Sequence, residues 1–225
     1  MVAFAMTTMF ASCTKEDNGG TGTNPDTSAV VWVDLGLPSG LLWANCNLGA
    51  NAPEEYGNYY AWGETQPKEN YGWSTYQYCM EDFHQLTKYC DNSDYGHDGF
   101  TDNISTLEAM DDAATAALGA GARTPTEAEW SELMTNTTKE LVTENNVYGM
   151  KFTADNGNSI FLPAAGLNDG SEYLLVGEGG YYWSSTLLPE RPIFAKDLAY
   201  TSFVQIINNC YRSYGLSVRA VRDHQ

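Results

Sequence analysis

Positive charge is scarce in this chain of 225 residues: 11 Lys and Arg stand against 29 Asp and Glu, for a formal net charge of −18. A surface of that sign repels phosphate backbones and leaves no polybasic patch for anionic lipid headgroups, so nucleic acid is not an expected partner. Long apolar runs are missing too. The one apolar segment of note, Val2 to Ser12, is too short to span a bilayer, so a membrane is reachable only through an anchor. The three histidines, His84, His97 and His224, stand in no GxSxG, HExxH or cysteine–histidine setting, and catalysis of those kinds has no footing. Cysteine is sparse, with neither a CxxC pair nor a Cys/His cluster, so no zinc site is expected. The expectation is a binding protein with no cofactor and no metal, not an enzyme.

What is abundant is aromatic surface. Phe, Trp and Tyr make up 13% of the chain, with 15 Tyr and 6 Trp, more than a core of this size needs. Tyr and Trp are the side chains of adhesive surfaces. The N-terminal apolar segment carries no charge and stops at Cys13, and Phe10-Ala11-Ser12-Cys13 resembles the lipobox of bacterial lipoproteins, in which the cysteine is lipidated. Thr14-Lys15-Glu16-Asp17-Asn18 looks like the surface-export signal of Bacteroidetes lipoproteins, and Gly19 to Ser28 is a Gly/Thr/Pro stretch with nothing apolar to bury. Residues 1–13 therefore read as a lipoprotein signal peptide lipidated at Cys13, residues 14–29 as a flexible linker, and residues 30–225 as one domain. The implied location is the outer membrane, facing outward.

Within the domain, Val31 to Leu35 and Gly40 to Ala44 read as short strands about a Leu37-Pro38-Ser39-Gly40 turn. Tyr56 to Tyr78, rich in Gly, Tyr and Trp, reads as loop and short strand packed by rings. Glu108 to Leu118 predicts a helix with Ala109, Ala113, Ala116 and Ala117 on one face and Gly119 as its stop. Thr124-Pro125-Thr126-Glu127 predicts a capping box with Pro at the first helical position, followed by Trp130, Leu133, Met134 and Thr137 at helical spacing. The period then switches to two. Tyr148 to Thr153 and Ser159 to Leu162 flank Asp155-Asn156-Gly157-Asn158, a hairpin signal, and four more strands follow at Tyr181 to Thr186, Phe194 to Tyr200, Phe203 to Ile207 and Leu216 to Val221. Helices grouped together and strands after them make the class α+β, two helices with antiparallel sheets. Cys46, Cys79, Cys90 and Cys210 could pair in an exported chain, Cys79 with Cys90 most simply, or stay as buried free thiols. Asp91 to Asp102 imitates an EF-hand loop through Asp91, Ser93, Gly96 and Asp102. Tyr95 occupies a ligand position and no helical pattern flanks it, so the stretch reads as an exposed, turn-rich loop.

Several blocks in order carry a resemblance: Val33-Asp34-Leu35-Gly36-Leu37-Pro38-Ser39-Gly40-Leu41-Leu42-Trp43-Ala44, Tyr60-Ala61-Trp62-Gly63-Glu64-Thr65, Asp111-Asp112-Ala113-Ala114 and Arg123-Thr124-Pro125-Thr126. To these add Gly157-Asn158-Ser159-Ile160-Phe161-Leu162-Pro163-Ala164-Ala165-Gly166, Tyr182-Trp183-Ser184-Ser185 and Gly215-Leu216-Ser217-Val218-Arg219. Together, over about residues 31 to 222, they resemble the Fibrobacter succinogenes major paralogous domain of Bacteroidales lipoproteins. The resemblance implies a C-type-lectin-like fold, distantly related to formylglycine-generating enzymes and to retroelement-diversified receptor proteins. The former use a pair of C-terminal cysteines; only Cys210 lies in the last third here, which does not support that activity. The lectin motifs Glu-Pro-Asn and Trp-Asn-Asp are also absent.

In the diversified relatives the binding face lies between the Trp-Ser-Ser strand and the terminal Ser-Val-Arg strand, which corresponds here to Leu187 through Tyr214. The candidate contacts are Leu187, Leu188, Glu190, Arg191, Ile193, Lys196, Asp197, Asn208, Asn209, Tyr211, Ser213 and Tyr214. A mixture of Tyr, Asn, Ser, Arg and aliphatics is what a paratope uses, and packing against the sheet edge is the alternative for each residue. Trp183-Ser184-Ser185 reads as structural, and Arg219 as buried against acids. The expected function is cell-surface, adhesion-like binding of an extracellular protein or glycan, with Leu187-Leu188 leaning toward protein. The alternative is a non-catalytic structural or assembly subunit of a surface appendage or envelope complex.

Overall fold

The structure, a computed structural model, describes residues 30–224; the signal-peptide, lipidation and linker readings for residues 1–13, Cys13 and 14–29 lie outside the described residues. Strands β1 (Trp32–Asp34) and β2 (Leu42–Ala44) are joined by a turn in which Gly40 N–H donates to the Leu37 carbonyl at 2.9 Å. After β3 (Tyr59–Tyr60) comes a long segment held by single 3₁₀ turns and aromatic packing, and then α1 (Ala113–Leu118), β4 (Ala122–Arg123) and α2 (Glu127–Thr135). The rest is strand: β5 (Thr137–Glu144), β6 (Val147–Ala154), β7 (Ser159–Pro163), β8 (Leu167–Asp169) and β9 (Glu172–Leu174). There follow β10 (Gly179–Leu187), β11 (Phe194–Thr201), β12 (Gln205–Tyr211), β13 (Leu216–Ser217) and β14 (Val221–Arg222). They form sheets of order β1-β2-β14-β4, β12-β11-β10-β13-β3 and β5-β6-β7, plus the β8-β9 hairpin, antiparallel except where β13 runs beside β10. The class is α+β with two helices.

Both helices start later than their patterns predict. Asp112 caps α1, its carboxylate accepting from the N–H groups of Ala114 and Thr115 at 2.8 and 3.2 Å, so Glu108 to Asp111 stay outside the helix. Ala113 and Ala114 are the buried pair, while Ala109 and Ala116 face solvent, in place of the expected alanine stripe. The same Asp112 takes the N–H and hydroxyl of Thr124 at 2.8 and 3.0 Å, which removes Thr124 as a cap. The capping box of α2 is Thr126 with Glu129, whose carboxylate accepts from Thr126 N–H at 2.7 Å and pairs with Arg123 at 2.6 Å. Trp130 and Leu133 are buried as the spacing predicts; Thr137 already belongs to β5.

The β6–β7 hairpin forms where expected, closed by Gly157 N–H on the Ala154 carbonyl at 2.9 Å. Strand β5 is an addition, paired with β6 over its whole length about an Asn145-Asn146 turn with φ of 48° and 66°, the left-handed pair that Asn tolerates. The final expected strand is split. β13 belongs to one sheet and β14 to another, and the chain crosses between them at Arg219. Arg219 is fully buried, but not against acids: it donates to Asn47 Oδ1 at 2.7 and 3.1 Å and to the carbonyls of Ala44 and Phe161 at 3.1 and 3.0 Å. Burial draws its pKa down from the usual guanidinium value.

Strand β10 divides the interior. Neighbouring strand residues point to opposite faces, so Tyr182 enters a core with Trp43, Trp130, Phe152 and Tyr200, while Trp183 enters another with Trp62, Tyr76 and Tyr89. Three of these four tryptophans donate their ring N–H to backbone: Trp130, from the other core, to the Trp183 carbonyl at 3.1 Å, Trp62 to the Ser184 carbonyl at 2.8 Å, and Trp183 to the Tyr60 carbonyl at 2.7 Å. Trp183-Ser184-Ser185 is thus structural, with Ser184 Oγ accepting from Thr186 N–H at 3.1 Å. Cys46, Cys79, Cys90 and Cys210 are free and buried, without the Cys79–Cys90 pairing.

Candidate recognition surface

Arg212 sets the geometry of the surface that follows β12. Its guanidinium is fully buried and donates to Tyr76 Oη at 2.9 Å and to the carbonyls of Tyr89, Pro192 and Lys88 at 2.8, 2.8 and 3.0 Å. It also lies over the Trp62 and Tyr76 rings, 5.0 and 5.2 Å from their centroids. One side chain thereby clamps the aromatic-rich segment of the N-terminal half to the β10–β11 connection and to the end of β12.

With Arg212 pointing inward, its neighbour Tyr211 points out and is 37% exposed. Tyr211 stacks on Phe194 with ring centroids 4.5 Å apart, meets Tyr214 edge-on at 5.5 Å, and meets Trp73 edge-on at 6.2 Å. The exposed guanidinium of Arg191 covers the other part of Phe194 at 5.0 Å. From Trp73 the rings continue through Phe83 at 6.2 Å to His84 at 3.9 Å and on to Tyr95 at 5.6 Å. Burial, with the Asp169 carboxylate beside it, pushes the Tyr214 phenol well above its ordinary pKa, so the hydroxyl stays protonated. The result is a partly exposed array of ring faces with one guanidinium on top, held from behind by a buried cation.

Arg191, Tyr211 and Tyr214 are brought together here. Glu190 and Asn209 are exposed; Leu188, Lys196 and Asn208 are half-buried, with Lys196 Nζ 3.4 Å from the Glu127 carboxylate. The remaining four expected contacts are withdrawn from the surface. Leu187 and Ile193 are packed in the Trp183 core, Ser213 is fully buried, and Asp197 lies inside the sheet between Trp183 of β10 and Asn208 of β12. Neither oxygen of Asp197 has a hydrogen-bond partner, and burial raises its pKa to about 7, which the nearby Asn208 amide and Lys196 charge only partly oppose. Missed from the sequence were Phe194, Trp73, Phe83, His84, Tyr95 and the clamp Arg212. For Trp73 the signal was the Gly, Tyr and Trp enrichment after Tyr56, which marks ring packing but not which rings stay at the surface; Phe194 and Arg212 lie inside the interval Leu187 to Tyr214 without a signal of their own.

Two of the four acids of the loop 91–102 serve the backbone. Asp102 accepts from the N–H groups of Tyr89, Cys90 and Ile104 at 2.7, 2.9 and 3.1 Å, and Asp91 accepts from Glu190 N–H at 2.8 Å. Among the described residues no group of three or more His, Cys, Asp and Glu side chains is placed to hold a metal ion. Two clefts compete, one of about 450 Å³ beside α1 and α2 and one of about 530 Å³ by Tyr148, Leu175 and Phe203. In the first, Arg123 is engaged with Glu129 and Asp112 with α1 and Thr124, and the remaining charge is the Asp223 carboxylate; neither cleft joins a cation to a set of ring faces as the aromatic array does.

Compared with known proteins, no family model, no curated protein and no solved structure matches this chain.

Proposed function

We propose that this chain is a cell-surface lipoprotein that recognises an extracellular protein or glycan through the Arg191–Phe194–Tyr211–Tyr214 array, without catalysing a reaction. The observation that carries the reading is the convergence of ring faces from separated stretches of chain onto one clamped, partly exposed surface. Rigid aromatic area lowers the entropy lost on binding, and Tyr, Trp and Arg dominate interface energetics. The ordered sequence blocks support membership in the Fibrobacter succinogenes major paralogous domain and a C-type-lectin-like fold. The lipobox ending at Cys13 and the acidic pair after it support an outer-membrane anchor facing outward.

The test is the combined variant Arg191→Ala, Tyr211→Ala and Tyr214→Ala against arrays of glycans and surface proteins. Loss of three such contacts removes roughly 3 kcal/mol or more, a hundred-fold in affinity, with cooperative melting retained. An array that yields no ligand, or a triple variant that binds as the parent does, defeats the reading. For the anchor, cells expressing the chain should incorporate labelled palmitate and lose it on Cys13→Ala; label that persists in the variant rules the lipidation site out.

A further inference from the structure

Strand β12 is the outer strand of its sheet and pairs with β11 in unbroken register from Gln205 to Tyr211. The bonds Thr201 N–H to Val204 carbonyl at 2.8 Å and Arg212 N–H to Ile193 carbonyl at 3.0 Å show which positions face inward. Antiparallel pairing alternates, so Gln205, Ile207, Asn209 and Tyr211 turn their N–H and C=O groups away from β11. Tyr214 N–H takes the Tyr211 carbonyl at 3.0 Å; among the described residues, nothing takes the outward groups of Gln205, Ile207 or Asn209.

Proteins blunt such edges with Lys, Pro, bulges or a covering element. Among the described residues none of these devices is present along the strand, and no side chain from Leu198 to Tyr211 carries a charge. At its start stand Phe203, 93% exposed, and Val204 and Ile206, both nearly half exposed. The opposite edge, β3, is buried.

We infer that two copies of this chain pair antiparallel through β12, continuing the sheet across a two-fold axis at Asn208. A second copy can be the occupant despite the mutual repulsion of molecules of net charge −18, because the stretch that would pair, Leu198 to Tyr211, carries no charged side chain. The strand is also self-complementary about that axis. Ile207 of one copy falls opposite Asn209 of the other and Gln205 opposite Tyr211, so outward-facing groups meet outward-facing groups in each pair. Asn208 meets its own counterpart, and an amide is donor and acceptor at once. The axis is perpendicular to the sheet, so both aromatic arrays stand on the same side, with the two Tyr211 positions about 20 Å apart along the strands. A bivalent surface follows, which goes beyond the single-site reading above and does not depend on it.

Sedimentation equilibrium of the full, unlipidated chain in a Cys13→Ser background tests the pairing over a series reaching hundreds of micromolar. The expected result is a reversible dimer with a dissociation constant on the order of micromolar, as fits a small interface. Asn209→Pro deletes an N–H that β11 does not use and should weaken dimerisation ten-fold or more with melting unchanged. Should that variant fail to fold, Asn209→Lys, which places charge on the edge, gives the same reading. Asn208→Cys should form an oxidised dimer, since facing residues in a non-hydrogen-bonded pair have Cα atoms about 4.5 Å apart. A chain that stays monomeric throughout, edge variants that dimerise like the parent, or an Asn208→Cys chain that does not cross-link overturns the inference. A monomer that still binds ligand through the array overturns the pairing alone.

Discussion

Replacing Arg212 by Met keeps the length of the side chain and deletes its fork of donors. Four acceptors lose their partner: the Tyr76 hydroxyl and the carbonyls of Tyr89, Pro192 and Lys88. Hydrogen bonds to a charged group contribute about 1.5–3 kcal/mol each, but four on one side chain do not add, and removing the cation returns its desolvation cost. The net loss expected is about 3–5 kcal/mol. At roughly 2–4 °C per kcal/mol for a domain of this size, the melting temperature should fall by about 6–20 °C. Arg212→Lys should recover less than half, because a point ammonium cannot reach acceptors arranged around a planar guanidinium. Arg222→Met is the control. That guanidinium lies 4.5 Å from the Trp32 ring centroid and is half-exposed, so its loss should cost about 0.5–1 kcal/mol. The assay is urea unfolding with a melting curve on each variant. A loss under about 1 kcal/mol for Arg212→Met would show that the clamp does not hold these segments together, and the rigidity of the array would lose its basis.

Asp197 has its native pKa raised from 3.8 to about 7, so the unfolded state releases the proton first as pH rises. Its contribution to stability is whole below about pH 4 and declines toward pH 7 by up to about 4 kcal/mol, so Asp197→Asn should match the parent near pH 4 and exceed it at pH 8. Parallel pH curves for the two proteins would refute the assignment. The buried thiols Cys46, Cys79, Cys90 and Cys210, their pKa values raised chiefly by burial, should resist alkylation in the folded chain and react on unfolding. Peptide mapping that finds any of the four modified rapidly in native buffer contradicts that burial.

Local signals were legible where the partner is near in sequence. The Asp155-Asn156-Gly157-Asn158 turn and the Trp130–Leu133 face of α2 each carry their own explanation within a few residues. The helix starts were not legible, because Asp112 decides both: it caps α1 next to it and occupies Thr124 from 12 residues away. The split between β13 and β14 depends on Asn47, far back in the chain, which receives Arg219. The interval Leu187 to Tyr214 contains part of the array, but a strand alternates its faces. That alternation leaves Tyr211 outside, while Cys210, Asp197 and Leu187 are inside. Composition identified the adhesive residue types and could not assign their sides.

The fate of the few cations argues for the chemistry of the proposed ligand. Lys68, Lys88, Arg123, Lys151 and Lys196 are each paired with carboxylates, Arg212 and Arg219 are buried on carbonyls, amide and hydroxyl, and Lys139 donates to the Met134 carbonyl. Arg191 and Arg222 differ: among the described residues each guanidinium has a ring face beneath it, Phe194 and Trp32, but neither carboxylate nor carbonyl, and of the two Arg191 is the exposed one and the one at the array. A ligand arriving at the array therefore meets one available set of donors and several ring faces, within the field of a molecule whose net charge is −18. That field disfavours polyanions at long range, while the single guanidinium can hold one acceptor group once contact is made. The surface thus suits neutral groups rich in hydroxyls or amides, whose flat apolar faces lie on Tyr211 and Phe194 while an oxygen reaches Arg191. Tightest binding to a sulfated or phosphorylated polymer would contradict this assignment of ligand chemistry.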